Sequence, residues 1–198
     1  STPGRSRSPC PRATSPSPVL VYGVNRFPRM VDYVIPSGVR IANANQVLLG
    51  AYLARGTTVF HNGFVNFNSG TLGAAVVDGL LGHGVVVGED SAIGSGASIM
   101  GSLRTDDGKP TSIGRRTLVG ASAGVGISLG NDCVVEAGLY LTAGTKVNVM
   151  GADPRIVKAR QLSGESGWLF RRNSVTGAVE AIRNERSGIH LSQAVHLR

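Results

Sequence analysis

The chain is poor in cysteine, in aromatic residues and in long apolar runs. Its two cysteines, Cys10 and Cys133, cannot build a disulfide framework, and they favour a protein of the reducing cytoplasm. Four histidines accompany them without the spacing of a zinc site. No run of eighteen apolar residues occurs, so the sequence predicts no membrane-spanning helix. With 5% aromatic residues, the core must be built from small aliphatic side chains.

Acidic residues are also few, which leaves a formal net charge of +8. The basic residues are scattered over the N-terminal segment, the loops and the C-terminal region, and they do not interleave with aromatic residues. This distribution argues against nucleic-acid binding and favours a small anionic ligand, such as a phosphorylated cofactor or a dicarboxylate. We therefore predict small-molecule substrates, no nucleic-acid partner and no membrane partner.

What the sequence does contain is a six-residue repeat. A helix brings together residues three or four apart and a strand residues two apart, so a period of six fits neither. The period is typical of a coil with three short flat sides, which predicts a mainly β protein folded as a left-handed parallel β-helix. The repeated aliphatic positions are Ile41, Val47, Leu53, Val59, Val65, Val87, Ile93, Ile99, Ile113, Val119, Val125, Leu129, Val135, Leu141 and Val147.

The coil is predicted to extend over residues 41–150, between two segments of other character. Residues 1–18 are rich in Pro, Ser and Arg and are predicted to be a disordered linker or tail. Residues 19–40 are predicted to form one or two short strands that lead into the coil, with a break at Pro28. Residues 151–198 are predicted to form an extension with a β-hairpin that turns at Thr176-Gly177.

Two interruptions of the repeat are candidate functional regions. The repeat slips near the sequence DGLLGHGVVVG, which starts at Asp78. A second interruption, residues 101–112, carries Asp106-Asp107-Gly108 and is predicted to be a loop that projects from one edge of the coil.

Most known hexapeptide coils transfer acyl groups, a prior that comes from the fold alone. Transfer to an amine needs a proton acceptor, a backbone N–H for the thioester oxyanion and a groove for the cofactor. Asp78 is one candidate acceptor, and a turn aspartate that caps a backbone amide is the alternative. His83 is a second candidate, with a surface histidine as the alternative. Arg171 and Arg172, beside Asn173 and Ser174, form either a clamp for cofactor phosphates or a solvated strand.

Five blocks of sequence resemble the tetrahydrodipicolinate N-succinyltransferase family, in particular its branch from high-GC Gram-positive bacteria. They are VYGVNRFPRMVDYVIPSGVRIANANQV, GFVNFNSGTLGA, VVVGEDSAIGSGASIMGSL, ISLGNDCVVEAGLYLTAGTKV and LFRRNSVTGAVE. The resemblance implies a homotrimer of left-handed β-helices that transfers succinyl from succinyl-CoA to the amine of tetrahydrodipicolinate, in lysine and diaminopimelate biosynthesis. Family members carry an additional N-terminal domain, so the resemblance also implies a diverged or N-terminally truncated member.

The resemblance assigns roles residue by residue. The family's catalytic glutamate falls on Asp78, whose role is either base or nucleophile through an acyl anhydride. The family's oxyanion glycine falls on Gly101. The positions that resemble contacts with succinyl-CoA are Leu80, Ser95, Ser98, Ala121, Glu136, Ala137, Gly144, Lys158, Arg171, Arg172, Asn173 and Ser174.

Four positions, two of them among those just named, depart from the family pattern. Asp78 is one methylene shorter than glutamate, and Leu80 replaces an arginine. Asn45 and Asn62 stand where the family places metal-binding carboxylates, so we expect no metal, because neutral amides bind hard cations weakly. Beside the succinyltransferase hypothesis, two alternatives remain: an acyltransferase with another donor or acceptor, and a CoA-binding trimer without catalysis.

Overall fold

A computed structural model of the chain describes residues 20–21, 23–101, 110–151 and 154–184. The predicted disordered segment 1–18 with Cys10, the projecting loop with Asp106-Asp107-Gly108 and the last fourteen residues therefore lie outside the described residues. The described part contains nineteen short strands and three 3-10 turns and no α-helix. None of its helical segments is long and apolar enough to cross a membrane.

The strands follow one another at intervals of a few residues. In chain order they are β1 Arg40–Ile41, β2 Tyr52–Leu53, β3 Thr58–Val59, β4 Phe64–Val65, β5 Gly70–Thr71, β6 Ala75–Val77, β7 Leu80–Leu81, β8 Val86–Val87, β9 Ser91–Ile93, β10 Ser98–Ile99, β11 Ser112–Ile113, β12 Leu118–Val119, β13 Gly124–Val125, β14 Val134–Val135, β15 Tyr140–Leu141, β16 Lys146–Val149, β17 Arg155–Lys158, β18 Trp168–Arg172 and β19 Val179–Arg183. The 3-10 turns are Met30–Asp32, Ala44–Gln46 and Ala159–Leu162.

The strands form the three flat faces of a coil. The first face contains β1, β3, β6, β9, β12 and β14, the second contains β4, β7, β10, β13 and β15, and the third contains β2, β5, β8 and β11. Within each face the coil strands are parallel, and each pairs with the strands one coil before and one coil after. This stacking is the predicted left-handed parallel β-helix.

The repeated aliphatic residues fill the interior of the coil. Val59, Val77 and Ile93 are opposite one another on the first face, and all three are fully buried. Thr71 takes an interior position on the third face, where its hydroxyl bonds to that of Thr57 at 2.7 Å. Cys133 is also fully buried, as a small core residue. The repeat therefore predicted the core almost position by position.

The segment before the coil differs from the prediction. We predicted one or two short strands leading into the coil, but the described residues before Arg40 form the turn Met30–Asp32 and a single bridge from Arg29 to Leu48. Met30 is buried, and its N–H donates to the carbonyl of Val47. The chain turns here because the open end of the coil must be covered.

The C-terminal hairpin extends the first face. Strands β18 and β19 are antiparallel, and β18 continues the face by pairing with β14. Strand β19 pairs with β16, which in turn pairs with β17. The turn includes Gly177, with a φ of 73°, as the Thr176-Gly177 prediction requires. Phe170 and Trp168 are buried beneath the hairpin and close that end of the core.

Candidate active site

Asp78 lies on a shortened corner between the first and second faces. Elsewhere this column of corners has four residues per coil, in 60–63, 94–97, 120–123 and 136–139, but only Asp78 and Gly79 separate β6 from β7. A Cβ at position 79 would lie 2.4 Å from the carbonyl oxygen of Ala97, so the tight corner requires glycine. The backbone N–H of Asp78 donates to the carbonyl of Ile93 at 2.9 Å, which fixes the base of its side chain.

The half-buried carboxylate of Asp78 belongs to a polar cluster that spans three coils. Its Oδ1 accepts a hydrogen bond of 3.2 Å from the backbone N–H of Asn62. The Asn62 side-chain amide donates in turn to the hydroxyl of Ser95 at 3.0 Å. No other group of the described residues bonds to the carboxylate. The sequence predicted Asp78 and Ser95 as site residues, and the fold brings them together through Asn62.

Gly101 lies in a different column of corners, between the second and third faces. It stacks on the preceding coil, where a Cβ at position 101 would lie 2.4 Å from the carbonyl oxygen of His83. A cavity of about 360 Å³ opens beside it, lined by Asn66, Phe67, Gly82, His83 and Gly101. Among the described residues its backbone N–H has no acceptor, so it is available to an oxyanion.

His83 is held in this cavity by aromatic contacts. Its ring lies 4.5 Å from the ring of Phe67, which stacks on Phe27 at 3.9 Å. Its Nδ1 is buried and has no hydrogen-bond partner among the described residues. The sequence left His83 open as base or surface residue. The structure places it on the side of the coil with Gly101, away from Asp78.

Asp78 and Gly101 do not meet within one chain. They lie at opposite edges of the second face, because strand β7 separates Asp78 from Gly82, and Gly82 contacts Gly101. At about 3.3 Å per residue of extended chain, the four steps from Asp78 to Gly82 span at most roughly 13 Å. A single chain therefore presents the Asp78 carboxylate and the Gly101 N–H at the two edges of one flat face.

Several predicted cofactor contacts form a ridge of small residues on the coils that follow the coil of Asp78. Ser95, Ala121 and Ala137 are stacked on successive coils, linked by backbone hydrogen bonds between their corners. Leu80 and Ser98 are paired neighbours on the second face, and Leu80 is 41% exposed. The ridge gives an extended ligand a flat path along the coil axis.

The predicted arginine clamp is partly occupied by protein groups. Glu180, 5% exposed, accepts from Arg171 Nε at 3.0 Å and from Asn173 Nδ2 at 2.8 Å. These bonds hold the pKa of Glu180 below its usual range, with the Asn173 bond the larger cause. The backbone N–H of Arg172 donates to Glu136 Oε2 at 2.7 Å. Sequence reasoning missed Glu180, although the alternation of β19 could have placed it opposite Arg171.

The remaining predicted contacts lie near the C-terminal end of the coil. Lys158 pairs directly with Lys146 across β16 and β17, and both side chains are exposed. Like charges in such a pair repel, and an anion between them would relieve that repulsion, so Lys146 is a further candidate contact that the sequence analysis did not name. Gly144 lies in open space at a corner, and Ser174 is exposed in the hairpin turn.

The two positions at which the family resemblance places metal ligands, Asn45 and Asn62, carry neutral amides that do not suit a hard cation. Asn45 Oδ1 accepts from the guanidinium of Arg29 at 3.4 Å, so a positive group already faces it. The side chain of Asn62 bonds to Ser95. No group of three or more His, Cys, Asp or Glu side chains in the described part of the chain could hold a metal ion.

Comparisons with known proteins agree with this architecture. A profile of the hexapeptide repeat of succinyl-transferase matches residues 110–143. A crystal structure from Campylobacter jejuni, described as a 2,3,4,5-tetrahydropyridine-2-carboxylate N-succinyltransferase, superposes with a TM-score of 0.78 and 37% identity. That superposition covers 82% of this chain and 46% of the other.

Two curated relatives are named 2,3,4,5-tetrahydropyridine-2,6-dicarboxylate N-succinyltransferase. The protein from Vibrio cholerae is 52% identical over 176 residues, and that from Pseudomonas putida is 49% identical over 179 residues. The alignments cover 87% and 89% of this chain but 51% and 52% of the relatives. The chain thus spans about half the length of the curated relatives it matches. Over that half, the chain is similar in sequence and in fold to these named N-succinyltransferases.

Proposed function

We propose that this chain is the β-helical part of an acyltransferase that moves succinyl from succinyl-CoA to the amine of tetrahydrodipicolinate. The observation that carries the proposal is the Asp78 carboxylate on its shortened corner, with one oxygen bonded to Asn62 and the other without a partner among the described residues. The family similarity supplies the substrates. The cytoplasmic location and the high-GC Gram-positive branch stay predictions from the sequence.

In the proposed reaction Asp78 acts as the base. The acceptor amine attacks the thioester carbonyl carbon, a C–N bond forms, and the amine proton passes to the Asp78 carboxylate. The backbone N–H of Gly101 donates to the oxyanion of the tetrahedral intermediate. The C–S bond then breaks, and the proton passes to the CoA sulfur. The products are the succinyl amide and free CoA.

We also propose that the protein acts as a homotrimer. Because strand β7 separates Asp78 from Gly82, the neighbour of Gly101, the two groups lie at opposite edges of one face. They can therefore serve the same thioester only if they come from adjacent subunits. The ridge of Ser95, Ala121 and Ala137 then lies along the groove between two coils, where the pantetheine arm of CoA can run. Lys146, Lys158 and Arg172 lie toward the C-terminal end, where cationic side chains can meet the cofactor phosphates.

The proposal is tested by thiol release from succinyl-CoA with and without tetrahydrodipicolinate. We expect acceptor-dependent release that Asp78→Asn reduces by about a hundredfold or more, the usual contribution of a general base. His61→Ala, an exposed change on the neighbouring corner, serves as the control and should keep the wild-type rate. CoA binding without release would instead favour the non-catalytic alternative, and release only from another thioester would favour a changed donor.

A further inference from the structure

We propose that Asn62 and Ser95 are positioning residues for Asp78. Their side-chain bond holds the corner 60–63 so that the backbone N–H of Asn62 stays on Oδ1 of Asp78, and Oδ2 is left to take the proton. The inference rests on the proposed function for the identity of the reaction. Two hydrogen bonds, Asn62 N–H to Asp78 and Asn62 to Ser95, and the backbone path of the corner 60–63 support it.

The shortened corner makes the contact possible. Asn62 and Ser95 belong to coils that flank the coil of Asp78 on either side, and they are 33 residues apart in sequence. Adjacent strands lie about 4.8 Å apart, so equivalent corners two coils apart are separated by about 10 Å. Yet the two side chains meet at 3.0 Å. They can do so because the corner between them has only two residues and leaves a notch, with Asp78 at its floor.

The corner of Asn62 also differs from its neighbours in backbone conformation. In the four-residue corners of the later coils, the third residue adopts a left-handed conformation, with φ of 67° at Gly96, 56° at Ser122 and 71° at Gly138. Asn62 is the third residue of its own corner and is not left-handed. The corner over Asp78 therefore follows a different path, in which the N–H of Asn62 points into the notch and meets the carboxylate.

This arrangement assigns different tasks to the two carboxylate oxygens. Oδ1 accepts a backbone N–H, which fixes the plane of the carboxylate. Oδ2 has no partner among the described residues and is the oxygen that faces an incoming amine. Proton transfer depends on the alignment of donor and acceptor. Loss of the Asn62–Ser95 bond should therefore lower the rate of the chemical step and change the affinity for substrate much less.

The first measurement is amide hydrogen exchange at position 62 in the full chain. Ser95→Ala removes the partner of the Asn62 side chain, and we expect exchange at this amide to accelerate about tenfold as the corner loosens. Ser95→Thr keeps a hydroxyl and should retain the wild-type exchange rate. His61→Ala is the matched control from the same corner. Unchanged exchange in Ser95→Ala would overturn the proposal.

The second measurement is turnover in Asn62→Ala, Ser95→Ala and the double variant. Each single change should lower kcat about fivefold, and Asn62→Ala should leave KM for succinyl-CoA unchanged. The double variant should be no slower than the slower single variant, because both changes break the same bond. A double variant whose fold reduction of kcat equals the product of the two single reductions would contradict a shared role. If exchange changes as expected while the wild-type chain transfers no acyl group, the positioning contact stands and the proposed function fails.

Discussion

Gly70 lies where any side chain would collide with the backbone. A Cβ at this position would lie 1.8 Å from the carbonyl oxygen of Tyr52, the residue opposite it on the third face. We expect Gly70→Ala to lower the free energy of unfolding by about 3 kcal/mol, because two backbone strands must separate. Gly144→Ala, in open space with an ordinary φ, is the control and should change it by less than about 0.5 kcal/mol. Urea unfolding measures both; equal effects would contradict the close approach.

His83 carries a buried nitrogen without a partner in the described part of the chain. His83→Phe removes this nitrogen and keeps an aromatic ring against Phe67. We expect it to raise the free energy of unfolding by about 1 kcal/mol, since a buried unsatisfied polar atom is costly. His83→Ala should lower it, because the ring contact is lost. Thermal unfolding of the two variants measures both changes in stability. A His83→Phe variant less stable than the wild type would show that the nitrogen has a hydrogen-bond partner in solution.

The sequence made Asp78 a candidate site residue but could not predict which groups hold its side chain. Asp78 stands out because the six-residue repeat slips directly after Val77. The contact with Asn62 depends on which corners stack and on how far each one projects, and these follow only from the coil lengths. Ser95 was predicted from family resemblance alone, and its bond to Asn62 gives it a physical reason.

The C-terminal hairpin contains an ionic cluster around Glu180. Because Asn173 and Arg171 hold the pKa of Glu180 below its usual range, the cluster stabilises the fold above the carboxyl's unfolded pKa of about 4.3. That contribution is lost as the pH falls through the lower folded pKa. We expect Glu180→Gln to melt at a lower temperature than the wild type at pH 7, and the difference to shrink at pH 3. An equal difference at both pH values would contradict the cluster's role.

Among the elements, the coil strands were predictable and the lead-in segment was not. The period of six placed the interior residues of all three faces, because the pattern repeats in every coil. The segment around Met30 has no repeat to constrain it. Its 3-10 turn follows from the need to cover Val47 at the open end, which is a tertiary demand. The hairpin was predictable from the Thr176-Gly177 turn, but its insertion between β14 and β16 was not.

At the scale of the whole molecule, Cys133 can report the opening of the coil. It is fully buried, and burial raises the pKa of its thiol, which leaves little reactive thiolate. In a Cys10→Ser variant, we expect alkylation of the remaining thiol to be slow. It should accelerate with urea in parallel with the loss of the β-structure signal in circular dichroism. Fast labelling without urea would show that the C-terminal coils open on their own.

The uneven coil lengths also give the molecule an uneven response to force. Val59, Val77, Ile93 and Val119 are successive neighbours on one face, yet they are 18, 16 and 26 residues apart in sequence. Under tension the coils should detach one by one, because most backbone bonds link only adjacent coils. At about 3.4 Å per residue, each lost coil lengthens the chain by between about 55 and about 90 Å. A force-extension trace would thus distinguish the coils by the length of each step. The 16-residue steps would mark the coils that are two residues shorter than the 18-residue coil.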